Sequence, residues 1–216
     1  TAVPVGPKLP PRVSGRPGAH DNLPVDHEYR FLVIAIDRDD GSVVWEKTVH
    51  QAIPVEGGHY TASLASASPV TDGEAVYCMS GYRGSSAMAL PLDATSDITD
   101  SDQIVWSKTR GTPYVPSPIL YDGFLYFNQS NDGILTCLDA RTGETLIERT
   151  RMPNLSGLYA SPVGASGRVY FVGRNGVTLV LEKGPEFRVL ETNKLAEPMD
   201  ATPALVGNQI FLRSES

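Results

Sequence analysis

The feature that most constrains this chain is a pattern of eleven residues that occurs four times. Its first copy is Ala67-Ser68-Pro69-Val70-Thr71-Asp72-Gly73-Glu74-Ala75-Val76-Tyr77, and its second is Pro116-Ser117-Pro118-Ile119-Leu120-Tyr121-Asp122-Gly123-Phe124-Leu125-Tyr126. The remaining copies cover residues 160–170 and 201–211. Each has Ser or Thr, then Pro, a small or branched apolar residue, a Gly-containing turn, and an aromatic eight residues after the Pro. Pro69 is matched with Tyr77, Pro118 with Tyr126, Pro162 with Tyr170 and Pro203 with Phe211. The prolines lie 49, 44 and 41 residues apart. Self-similarity at a period of about forty residues marks a stacked or radial repeat, and it is the length of one four-stranded propeller blade.

A second unit alternates with the first. Phe31-Leu32-Val33-Ile34-Ala35-Ile36 is a run of β-branched and aromatic residues that reads as a strand buried on both faces; it ends at Asp37 and turns through Asp40-Gly41 into Val43-Val44-Trp45. The unit returns at residues 135–147, at 88–106 with five extra residues, and in degenerate form at 178–190. Proline has no N–H to give a ladder, so it suits the innermost, channel-facing strand of a blade. Asp-Gly and Ser-Gly supply the positive φ angles that tight hairpins demand. The aromatic of each copy is expected to fill space between neighbouring blades. Asp37 and its equivalents can bond their own backbone in the following turn, and Trp45 and Trp106 close the outer strand.

These half-units predict an all-β fold: a β-propeller of four-stranded antiparallel blades, about four in this chain. Three complete blades are expected over residues 66–110, 116–152 and 160–195. A fourth is expected to be split between the two ends, with inner strands from 201–213 and outer strands from 29–48. Joining both ends in one blade closes a ring without leaving a free edge. Residues 1–216 thus read as a single propeller, partial or small, with a short strand over 1–5 and an irregular loop insertion at 6–29.

Composition narrows the function classes. A net charge of −7 argues against a nucleic-acid partner held through phosphate contacts. No apolar run approaches the length of a membrane span, and the sequence opens without signal-peptide architecture. Cys78 and Cys137 each lie in an apolar strand-like run and read as two buried free thiols rather than a disulfide. The acidic and histidine-bearing loop at 6–29, which includes His20 and His27, has no recognised ligand spacing and reads as solvated rather than metal-binding. The four aspartates between Asp93 and Asp102 read the same way, because they lack the spacing of an EF-hand loop. Nucleophile elbows, phosphate loops and zinc-protease motifs are missing from the sequence. His59, Ser63 and Asp72 can be written as a triad, but nothing in the sequence brings them together.

The repeated Ser-Pro-Val-x-x-Gly-x-Val-Tyr unit, alternating with Leu138-Asp139-Ala140-x-Thr142-Gly143-Glu144, resembles the PQQ-binding-like β-propeller repeat. That superfamily includes the outer-membrane assembly factor BamB and the quinoprotein alcohol dehydrogenases. Its members usually have seven or eight blades, so the chain resembles a shortened or partial member. The resemblance implies a bacterial, periplasmic or extracellular protein. Quinoprotein enzymes hold their quinone over a Trp and under a disulfide of adjacent cysteines, beside a bound calcium. Cys78 and Cys137 are not adjacent, and no residue set here matches that site. No cofactor is therefore expected, neither PQQ nor calcium, and no catalytic or metal-ligating residue is assigned.

The expected function is a non-catalytic scaffold that recognises protein or peptide partners through rim loops, with a homodimer through open blade edges as a further expectation. The alternatives are a quinoprotein-type oxidoreductase or small-ligand binder with a site in the central channel, and the sensor portion of a signalling protein. Residues 49–65 fall outside the repeat and connect an outer strand to the next inner strand, where such a loop can overhang the channel mouth. His50, Glu56, His59 and Tyr60 in this stretch are the candidate partner-binding residues.

Overall fold

Short apolar runs separated by Gly, Pro and Asp produce strands throughout: the computed structural model has seventeen, and no helix among the residues it describes, which are 1–10, 25–54, 63–81, 86–93, 98 and 102–215. Strands β1 (Ala2–Val5), β2 (Glu28–Ile36) and β3 (Val43–Ala52) form a three-stranded antiparallel sheet. The first four-stranded blade is β4 (Val70–Thr71), β5 (Ala75–Ser80), β6 (Ser86–Pro91) and β7 (Trp106–Lys108). The second is β8 (Ile119–Tyr121), β9 (Phe124–Asn128), β10 (Ile134–Asp139) and β11 (Thr145–Arg151). The third is β12 (Val163–Ala165), β13 (Arg168–Val172), β14 (Val177–Glu182) and β15 (Val189–Lys194). A hairpin of β16 (Ala204–Val206) and β17 (Gln209–Phe211) follows. Every pairing between these strands is antiparallel, and each blade is ordered as its chain runs, from inner to outer strand. The chain is a β-propeller, as the repeat predicts.

The inner strands stand side by side in the order β4, β8, β12, β16. One interaction repeats across them. The backbone N–H of Ser68 donates to Ser117 Oγ at 2.9 Å, that of Ser117 to Ser161 Oγ at 2.9 Å, and that of Ser161 to Thr202 Oγ1 at 3.1 Å. These are the hydroxyl residues before the repeated prolines. Ser117 and Ser161 each receive a bond from the blade before and give one to the blade after.

Side chains fill the wedge between blades. Tyr77, Met79 and Trp106 of the first blade meet Leu125, Phe127 and Leu138 of the second in one buried cluster. Tyr126, Leu135 and Cys137 meet Phe171, Leu179 and Leu181 of the third in another. A fully buried side chain of this size contributes about 2 kcal/mol, so these clusters dominate the stability. Polar atoms on the same aromatics fix the spacing. Tyr126 Oη donates to the Gly184 carbonyl at 3.1 Å and accepts from the Gly184 N–H at 2.8 Å. Trp106 Nε1 donates to the Ala140 carbonyl at 2.7 Å, and a Cβ on Gly143 would stand 2.5 Å from the Trp106 ring. A glycine is required there twice over, because its φ is also +72°.

The hairpin chemistry divides in two. Asp122-Gly123 and Ser166-Gly167 have positive φ at both positions, as type I′ turns require. At Asp72-Gly73 only the glycine is left-handed. Asp72 instead closes its corner with its carboxylate: Oδ1 accepts from the N–H groups of Glu74 and Ala75, and Oδ2 accepts from the Tyr77 hydroxyl. Asp139 likewise accepts from the N–H and the hydroxyl of Thr142.

Three expectations change. The ends do not share a blade: β1 pairs with β2, from Ala2 opposite Phe31 to Val5 opposite Glu28, while β16 and β17 stand as a separate sheet. Among the described residues the sheets therefore form an open arc, because the inner side of β2 is taken first by its neighbour in sequence. The aromatics also diverge at the arc's end, where Phe211 is 54% exposed, since no blade follows to cover it. Finally, strand β3 runs on to Ala52 and takes in His50, which the sequence places in a loop. Of the loop at 6–29, residues 11–24 lie outside the described residues; the Asp26 carboxylate is engaged by His27 and Lys8.

The ladder predicts that Ser161→Ala lowers unfolding free energy by about 1 kcal/mol, while Ser161→Thr, the residue found at the fourth position, retains stability. Denaturant unfolding of the two variants checks this, and equal stability of both with the parent would remove the ladder's energetic role. Backbone and hydroxyl donation from Thr142 holds the Asp139 carboxyl below its ordinary range. A depressed folded-state pKa gives stability that is present above the unfolded value near 4 and lost as pH falls through the folded value. The melting temperature of Asp139→Ala should therefore fall below that of the parent at neutral pH, and the gap should narrow as pH drops from about 5 to about 2.

Candidate functional site

A cleft of about 330 Å³ opens between the first sheet and the first blade. Strand β2 supplies one wall through Phe31 to Ile34, and β3 adds Val49 and His50. Strand β5 supplies the other through Cys78, Met79 and Ser80. Val49 and Met88 in its lining belong to a buried cluster with Leu90 and Ile98, packed by Phe31, Val33 and Cys78. The His50 ring lies 5.6 Å from that of Phe31, tilted by 39°. Residues 65–69 cross the rim, pinned by Ser80, which donates to the Leu64 carbonyl, and by Ser66, which donates to that of Ser63.

The cleft exists because two structural patterns stop here. Strand β1 covers β2 only as far as Leu32, whose N–H donates to the Thr1 carbonyl at 2.7 Å. Alternation along an antiparallel edge then carries the N–H and C=O of Ile34 to the same side, where no strand among the described residues pairs with them. The hydroxyl ladder stops at the same place. Ser68 Oγ occupies the acceptor position filled at Ser117, Ser161 and Thr202, yet it receives no such bond among the described residues and lines the cleft.

Groups with reactive potential are held in structural roles. Burial pushes the Cys78 thiol up to about 12, and burial does the same to Cys137, so neither is a thiolate nucleophile at neutral pH. Both cysteines are free and sit in different blades. Asp72, a member of the written triad, is consumed by its turn. Among the described residues no group of three or more His, Cys, Asp or Glu is arranged to hold a metal ion. Trp106 is buried against Gly143, and Trp45 lies on β3 beneath Lys47, whose ammonium is 4.6 Å from the ring centroid. Cys78 and Cys137, free and in different blades, do not form the adjacent pair that caps a quinone in the quinoprotein enzymes.

Of the candidate partner-binding residues, His50 forms part of the cleft wall; Glu56, His59 and Tyr60 lie outside the described residues. The sequence reading missed the β2 edge and Ser68. A signal for the edge existed in the mismatch between a nine-residue β2 and a four-residue β1.

Comparison with known proteins places this geometry. A family model described as outer membrane protein assembly factor BamB matches residues 3–149. No curated protein matches the sequence. Among solved structures, BamB from Moraxella catarrhalis is 15% identical, with a TM-score of 0.43 over 88% of this chain and 66% of that one. The chain thus spans just under two thirds of that relative's length. The computationally designed Ika8 protein is 13% identical, with a TM-score of 0.53 over 85% of this chain and 52% of its own. The designed Ika4 protein is 10% identical, with a TM-score of 0.52 over 73% of this chain and 88% of its own. The two designs share the fold with this chain. With more than half of its residues matched by the family model, the chain belongs to the outer membrane protein assembly factor BamB family.

Proposed function

We propose that the chain is a non-catalytic propeller scaffold that captures a protein partner by accepting an extended strand on the open edge of β2, with the partner's apolar side chains entering the adjoining cleft. The observation that carries this reading is the unpaired edge at Ile34 beside a cavity lined by Phe31, Val33, Val49 and Met88. Strand addition uses main-chain hydrogen bonds for affinity and pockets for alternate side chains for specificity. Membership of the BamB family and the burial of the Cys78 thiol at the cleft wall support it.

The repeat indicates what sort of strand fits. In the complete blades the aromatic faces the residue two before the turn aspartate or its equivalent, as Tyr126 faces Cys137 and Tyr170 faces Val180. The equivalents are Phe211 and Ala35. That register sets residues 209–212 opposite 37–34, the stretch of β2 that β1 leaves open. The favoured occupant is therefore an apolar-aromatic strand of the kind this chain carries as β17, whose outer edge is also unpaired among the described residues. A second copy presents such a strand, and a head-to-tail homodimer is one form the partnership takes. His50 on the cleft wall, with Glu56, His59 and Tyr60 in the neighbouring rim segment, would select among partners. Membership of the family supports the periplasm or the cell exterior as the setting of this activity.

A fluorescein-labelled peptide with the sequence of residues 208–214 tests the reading by anisotropy against the 216-residue chain. Ile34→Pro removes the N–H on the open edge but none of the ladder to β3, which the alternate residues carry. Saturable binding that weakens at least about tenfold in this variant is expected, with its melting curve showing retained fold. Equal binding by both proteins, or no saturable binding by the parent, would refute strand addition. Sedimentation of the chain alone shows whether a second copy already fills the edge, in which case Ile34→Pro should dissociate it.

A further inference from the structure

A second opening, of about 320 Å³, lies on the other side of the first blade, between β7 with the residues following it and the face of β10 and β11. Its chemistry is opposite to that of the cleft. Lys108, Arg110 and Arg149 line it, with Glu148 as the one carboxylate in the lining. In a chain of net charge −7 this is a local reversal of sign. Lys108 and Arg110 make no ion pair among the described residues. Arg149 donates Nε to Gln129 Oε1 at 3.1 Å, a neutral acceptor, and both its terminal nitrogens remain without a partner there.

The backbone aims these groups. Between β10 and β11 the register shifts: Leu135 faces Thr150 and Cys137 faces Ile147, so Thr136 is opposed by both Glu148 and Arg149. A bulge of this kind redirects a side chain and is over-represented beside functional sites. Arg149 has φ of +38°, whereas the other left-handed non-glycine residues, Asp122, Ser130, Asn154 and Ser166, lie outside the strands. A strand residue in that region is strained, and the surrounding pairing sustains it. Opposite the bulge, Thr136 is 7% exposed, lines the opening, and makes no hydrogen bond through its hydroxyl among the described residues. Gly111, left-handed at +76°, brings the chain after Arg110 against it: a Cβ on Gly111 would stand 3.8 Å from Thr136 Oγ1. Three cations and the hydroxyl of Thr136 thus line one opening with unused donors.

We propose that this groove is a binding site for the phosphoryl group of a small, soluble phosphomonoester. Three cations opposed by one carboxylate leave an excess of two positive charges, which matches a phosphomonoester dianion and overshoots a single carboxylate. Guanidinium groups donate to two oxygens at once, and the Thr136 hydroxyl donates to a third. The volume leaves room beyond the phosphoryl group for the organic part of the ester, against Phe127 and Leu138. This site is independent of the β2 edge and of the partner reading.

Calorimetric titration of the 216-residue chain with inorganic phosphate, with acetate as the monoanion control, tests the assignment. Saturable phosphate binding in the low-millimolar range or tighter is expected, well above any response to acetate, and weakened by about tenfold in Arg149→Gln. Arg149→Lys should weaken it less, because it keeps the charge and loses the fork. Glu148→Gln should tighten it, which a merely structural role for these surface residues would not produce. Circular dichroism confirms that each variant is folded. No saturation by about 10 mM phosphate, equal binding of acetate, or indifference to both Arg149→Gln and Glu148→Gln would overturn the proposal.

Discussion

The structure depends on a hydrogen bond between a backbone N–H in one repeat and a hydroxyl in the next. Ser68, Ser117, Ser161 and Thr202 are linked in series across 49, 44 and 41 residues, so the bond spans one repeat length each time. Proline follows each hydroxyl residue and fixes where the inner strand begins, since it has no donor of its own to give. The inner strands can then approach closely enough for Tyr77, Tyr126 and Trp106 to seal the wedge behind them. Individually these bonds are modest, of about 1 kcal/mol each. Their effect is geometric: they hold the narrow side of every wedge at one spacing, and the burial of the aromatics supplies the free energy.

A ladder that runs in one direction has two unlike ends. At one end Ser68 offers an acceptor with nothing donating to it among the described residues; at the other Thr202 has an N–H with no next hydroxyl. The first sheet explains the first end. Its β2 and β3 are the outer pair of a blade, with β1 standing where a second strand belongs along only part of β2. The cleft is the space that the rest of the blade's inner half would fill, which is why apolar side chains line it and it has backbone groups along its side. The strand addition proposed for this edge would use the same physics that builds the complete blades. A partner needs to supply what each blade already supplies to itself.

Much of this was legible in the sequence. Four copies of one pattern give the fold class, the three complete blades and the aromatic plugs, because the pattern's spacing is set by local turn chemistry and by the blade's fixed length. Asp139 and Asp37 hold their turns as their sequence neighbourhood implies. What failed depended on competition between distant segments. The sequence pairs residues 201–213 with 29–48, since both half-units are present, but it does not say that β1 reaches the edge of β2 first. His50 reads as loop because the apolar run ends at Trp45; in the structure, pairing with β2 extends β3 past it, since β2 is long enough to hold both. The bulge at Arg149 is invisible in sequence, because one extra residue in an outer strand changes no composition and no period. The hydroxyl ladder had a signal in the Ser or Thr before all four prolines, but its meaning needs the neighbouring blade.

The chemistry of the chain argues in the same direction as its geometry. In a small repeat fold polar and polarisable side chains have strong structural uses, and Cys78, Cys137, Asp72, Asp139 and Trp106 are held in such uses here. The thiols are protonated because burial places them inside the wedges that they help to fill. Asp72 and Asp139 are ionised and fully engaged by turn N–H groups, so neither is poised as a base near neutral pH. Trp106 is committed to the Ala140 carbonyl and the Gly143 face. Among the described residues two features stand open to partners: main-chain edge with apolar surface at the β2 cleft, and cationic donors at the Arg149 bulge. Both are means of recognition, and the two proposed sites rest on them.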